Sequence, residues 1–73
     1  MNAQDILNTL KTAPHTVTFR KANGELRTLI GYAPQEIVLR SATVVPIVEW
    51  GTHAYKSFKV ENLVSMTEFN PYV

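Results

Sequence analysis

The sequence predicts a mostly β fold, a small barrel or sandwich of short strands preceded by one helix, and three observations carry that expectation. From His15 onward apolar and polar residues alternate with period two, the signature of half-buried strands. Turn-forming residues interrupt this alternation roughly every eight to twelve positions, as in all-β domains. Before His15 the period is helical instead.

The helix spans about residues 3–12. Asn2 is placed to cap it, Asp5 falls in the first turn where the helix dipole favours a negative charge, and Lys11 falls near the end. Pro14 stops it. A helix this short is marginal alone, so its Ile6-Leu7-Leu10 stripe must pack, and the expected role is a lid over one end of the core.

The strands follow in order. His15 to Lys21 alternates, Ala22-Asn23-Gly24 turns the chain, and Glu25 to Ile30 returns, which makes a β-hairpin whose Asn-Gly pair tolerates positive φ. Gly31 to Thr43 reads as an irregular excursion punctuated by Pro34, in which Glu36-Ile37-Val38-Leu39-Arg40 fits either a short strand or one helical turn. Val44 to Trp50 reads as a strand, and its Pro46 belongs at an edge or a bulge because proline cannot donate to a ladder. Gly51-Thr52-His53 turns the chain into an alternating strand, Ala54 to Lys59. Val60 to Leu63 forms one tight turn before a last strand, Val64 to Phe69. The expected inward residues are Val17, Phe19, Leu29, Ile47, Phe58, Val60, Leu63 and Val64.

Composition narrows the function classes. Seventy-three residues make one domain, 1–73, with the barrel over about 15–69. A chain of this size buries only about 60% of its unfolded surface, so the core is thin and self-association is expected. Absence of cysteine excludes disulfides and thiolate zinc sites. Seven Lys and Arg against six Asp and Glu, a net charge of +1, exclude a general polycation, so any nucleic-acid site must be a local patch. The polar start Met1-Asn2-Ala3-Gln4-Asp5 is unlike a signal peptide, no apolar run is long enough for a membrane span, and a cytoplasmic protein is the simplest reading.

Catalysis is the least supported class. His15 and His53 lie beside no nucleophile motif and read as surface residues, the scattered acids form no metal constellation, and isolated glycines form no phosphate loop. Neither enzyme activity nor a cofactor is expected. The informative residues are basic ones interleaved with aromatics. Arg20, Lys21 and Arg27 cluster near the tip of the first hairpin, and Lys56 and Lys59 lie beside Tyr55, with Trp50 across the intervening turn. Charge of this kind holds phosphate, and an exposed ring stacks a base. Alternation puts Tyr55, Ser57 and Lys59 on one face and Lys56, Phe58 and Val60 on the other. The competing reading is edge protection for the basic residues and a core position for Trp50.

Two blocks also resemble a known family. Val17-Thr18-Phe19-Arg20-Lys21-Ala22-Asn23-Gly24-Glu25-Leu26-Arg27-Thr28-Leu29 resembles the opening hairpin of small phage-encoded proteins with an Sm-like SH3 barrel, related to the WYL domain. Val48-Glu49-Trp50, followed by Tyr55 to Ser65, is similar to that family's run into the closing strand, with departures at Gly51 and Asn62. The resemblance implies a five-stranded SH3-like barrel with a helical turn before its last strand. It further implies a phage accessory protein that binds nucleic acid or a nucleotide-like ligand. The alternative is a protein-interaction module that binds and inhibits or redirects a host protein, possibly as a homo-oligomer. Its motivation is apolar edge candidates at Val44-Val45-Pro46-Ile47 and at Phe69-Asn70-Pro71-Tyr72-Val73.

Overall fold

The computed structural model describes residues 1–70. Helix α1 (Ala3–Thr12) precedes strands β1 (His15–Arg20), β2 (Leu26–Tyr32), β3 (Val44–Glu49), β4 (Tyr55–Lys59) and β5 (Leu63–Glu68), with a 3₁₀ turn at Val60–Asn62 before the last strand. All pairings are antiparallel, in the order β4-β3-β2-β1-β5, so the fold is a mostly β, barrel-like sheet with one short helix.

The helix forms where the capping signals put it. Asn2 Oδ1 accepts the backbone N–H of Asp5 at 2.8 Å, and Ile6, Leu7 and Leu10 are completely or almost completely buried in the same cluster as Val17, Ile47 and Phe58. The helix packs chiefly on β3, as the lid reading requires. Its last carbonyls find partners in the β2–β3 connection: Ala33 N–H donates to Leu10 O at 3.1 Å and Gln35 Nε2 to Lys11 O at 3.0 Å.

The first hairpin closes through the three residues Ala22-Asn23-Gly24. Lys21 N–H donates to Glu25 O, Gly24 N–H donates to Lys21 O, and Gly24 alone of the turn takes a positive φ, +88°. Asn23 uses its side chain instead, Oδ1 accepting from Glu25 N–H at 3.0 Å. This is the three-residue loop with a left-handed glycine that supports right-twisted strands.

Four expectations need correction. Gly31 and Tyr32 belong to β2 and not to the irregular connection, because Gly31 pairs with His15 on one side and Glu49 on the other. Val64 points outward and is 54% exposed, since Thr18 pairs with Ser65 and Phe19 with Leu63, leaving Val64 as the extra residue of a bulge. The bulge puts Leu63 and Met66, three apart, against the core, and Met66 takes the place expected of Val64. His15 is buried, held by a 2.8 Å hydrogen bond between Nδ1 and Ala13 O, so it is no surface residue. Val44-Val45-Pro46-Ile47 is a local backbone edge toward β2 but not an exposed apolar one, since Val45 and Ile47 are fully buried. Pro46 is tolerated there because β2 pairs with β3 only through Val48 and Glu49, leaving the Pro46 stretch a local edge on that side.

Candidate functional site

The five basic residues singled out from the sequence line one groove of about 450 Å³. Arg20, Lys21 and Arg27 come from the first hairpin, and Lys56 and Lys59 from β4, with Asn62 of the 3₁₀ turn beside them. Among the described residues no carboxylate lines the groove, yet it gathers five of the chain's seven Lys and Arg residues. A net charge of +1 is therefore distributed very unevenly.

Register explains how they meet. Phe19 sits directly opposite Arg27 in the β1–β2 pair, so the two share a face of the sheet. Lys56 shares its face with Phe58 by alternation on β4. Phe19 and Phe58 stack with centroids 5.3 Å apart and planes 18° apart, forming an apolar floor where both rings are buried. Arg27 and Lys56 thus project from the core-facing side at its open margin and are only partly exposed. A partly buried cation in that position gains more from an anion than a fully hydrated one does, because the surrounding dielectric is lower.

The five are not equivalent. Arg20 Nη1 donates to Gly24 O at 2.8 Å, so its guanidinium braces the turn. Lys56 Nζ lies 4.0 Å from Glu49 Oε1, at the outer limit of an ion pair. Among the described residues Lys21, Arg27 and Lys59 make no ion pair. They are the free charge of the groove.

The two aromatic candidates lie elsewhere. Trp50 is not a core residue: it is 44% exposed and meets Tyr32 and Phe69 edge to face, with centroids 6.1 and 6.4 Å away. Tyr32 ends β2, about 20 Å along that strand from the hairpin tip, so Trp50 stands apart from the hairpin cations. The turn after Trp50 needs two left-handed residues, Gly51 at φ +95° and His53 at φ 59°, and His53 Nδ1 is 3.3 Å from the Tyr32 hydroxyl. Tyr55 projects from the outer face of β4 and lines a second groove with Ile37, Val38, Arg40 and Pro46. Sequence reasoning missed this second groove because the 33–43 connection carries no period from which to read an exposed face.

No group of three or more potential metal ligands occurs among the described residues. No helix there is long and apolar enough to cross a membrane. No family model, curated protein or solved structure matches this chain.

Proposed function

We propose that this chain is a small non-enzymatic binding protein of the phage-encoded Sm-like type, acting in the cytoplasm, whose basic groove takes the phosphates of a nucleic acid or nucleotide-like ligand. The observation that carries this reading is the convergence of Arg20, Lys21, Arg27, Lys56 and Lys59 on one groove without a lining carboxylate. Edge protection needs cations only singly along exposed strand edges, whereas these five come from β1, β2, β4 and the first hairpin's turn and converge on one groove. Phosphate binding accounts for that placement, since like charges gathered at the margin of an apolar floor repel one another until an anion joins them.

The test is titration of a fluorescent single-stranded oligonucleotide at increasing salt, followed by anisotropy. If Lys21, Arg27 and Lys59 each neutralise one phosphate, log K falls against log salt with a slope of about −2. Arg27→Ala weakens binding and reduces the slope by about 0.7. Absence of binding at low salt, or binding indifferent to salt, refutes the reading.

A second reading, a protein-interaction module that pairs with a host protein or with its own copies, is favoured by β5. This strand ends the sheet, and its bulged Val64 presents an apolar side chain to solvent. Strand addition at such an edge is a common recognition mode. Concentration-dependent sedimentation that Val64→Lys abolishes supports self-pairing there, and a strict monomer at high concentration removes that form of it. Of the C-terminal candidate Phe69-Asn70-Pro71-Tyr72-Val73, the last three residues lie outside the described residues.

A further inference from the structure

The second groove adjoins the first. It also measures about 450 Å³, and its walls are mainly apolar, from Ile37, Val38, Pro46 and the ring of Tyr55. Both grooves are bounded by Val44 and Ser57. Ser57 stands midway between Tyr55 and Lys59 on the same face of β4, so the strand itself is the path from the charged compartment to the apolar one. We infer that the two grooves form one composite site for a short single strand of nucleic acid, whose phosphates occupy the basic groove while a base lies against Tyr55 in the apolar groove. This rests on the reading of the basic groove as a phosphate site and names what enters beside it.

Three observations select that occupant. Tyr55 is 73% exposed and, among the described residues, its ring meets no other aromatic ring and its hydroxyl makes no hydrogen bond, so a π-face is available at no structural cost. Charge divides sharply between the compartments: the basic groove holds five cations and no acid, whereas the apolar one holds Arg40 and Glu36, which offset each other. A ligand matching both has a polyanionic part and an uncharged flat part. Length then separates a strand from a nucleoside monophosphate. Tyr55 and Lys59 are about 13 Å apart along β4, farther than a nucleoside monophosphate holds its phosphate from its base, so linked nucleotides fill both ends where a monophosphate does not. A duplex does not fit this description, because its bases are paired and stacked away from a protein ring.

The experiment measures anisotropy at one low salt concentration with two labelled single strands, each six nucleotides long. One carries all its bases and the other is abasic, so the phosphates are equal. The native chain is expected to bind the base-bearing strand about tenfold more tightly, the order of one base–aromatic stack. Tyr55→Ala is expected to erase that preference while keeping the abasic affinity, and Tyr55→Phe to restore it. Tyr55 is exposed, so its truncation leaves the core intact, and circular dichroism of each variant checks the fold. Equal binding of the two strands by the native chain, or a preference that survives Tyr55→Ala, overturns the composite site and leaves the phosphate reading standing. If neither strand binds, the phosphate reading fails and the composite site fails with it.

Discussion

Two margins of one small core are finished in opposite ways. On one, α1 covers the sheet, and Ile6, Leu7 and Leu10 are buried to 1% exposure or less. On the other, no helix lies over the stacked pair Phe19 and Phe58, and the side chains at the groove around them include Arg20, Lys21, Arg27, Lys56 and Lys59. The strands are of the same kind on both margins and alternate alike. The difference lies in what occupies the margin positions, and it separates stability from function: packing energy concentrates under the helix, and charge concentrates where the helix is absent. A chain of this size has few apolar residues to spare, so an uncovered margin is a natural place for a binding surface.

The largest effect that tests this division is expected under the helix. Leu7→Ala removes a fully buried side chain from a site bounded by the sheet, and a loss of about 3 kcal/mol in unfolding free energy is expected from chemical denaturation. A loss below about 1 kcal/mol would mean that the lid is not part of the cooperative core.

Gly31→Ala comes next. Gly31 sits where β2 is paired by β1 and β3 at once, and a Cβ there overlaps the side chain of Ile47. Ile47 is fully buried and cannot step aside into solvent, so overpacking is expected to cost about 2 kcal/mol, read from the same denaturation curve. An unchanged midpoint would show that β3 yields locally, which would make the sheet softer beside the helix than its burial suggests.

Legibility followed local chemistry. The helix was readable to both ends because its cap, its stripe and its proline all lie within twelve residues of one another, and the first hairpin because Asn23-Gly24 is a local turn signal. Val64 was misread for a non-local reason. Its alternation with Met66 is broken by a bulge that exists only in the pairing with β1, and no residue of β5 announces it. His15, read as a surface residue, and Trp50, weighed between a stacking ring and a core position, were decided on similar grounds. His15 is carried inward by its position directly opposite Gly31, whereas Trp50 is held outward on the turn between β3 and β4. For the candidate site, the five cations were visible singly, and alternation put Lys56 with Phe58. Their meeting depends on β4 lying near the tip of a hairpin more than thirty residues earlier, which is a property of the sheet and not of any segment. Tyr55 was correctly put on the outer face, but its groove is made by the aperiodic 33–43 connection.

The smallest effect distinguishes the cations from one another. Among the described residues Lys56 is the only groove cation with a carboxylate in range, Glu49 Oε1 at 4.0 Å, and both side chains keep part of their exposure, 32% and 24%. Such a pair contributes little to folding, so Lys56→Gln is expected to change the unfolding free energy by less than about 0.5 kcal/mol. Its effect on the oligonucleotide is expected to be smaller than that of Arg27→Ala, because Glu49 already offsets part of the Lys56 charge. The sign reverses when the other partner is changed. Glu49→Gln leaves Lys56 unopposed at the margin of the groove, and affinity for the single strand at low salt is expected to rise by about twofold to threefold, with the gain disappearing as salt screens it. If Glu49→Gln weakens binding, the carboxylate is positioning Lys56 and not competing for it, and the groove would then contain a built ion pair where the present geometry gives only a loose one.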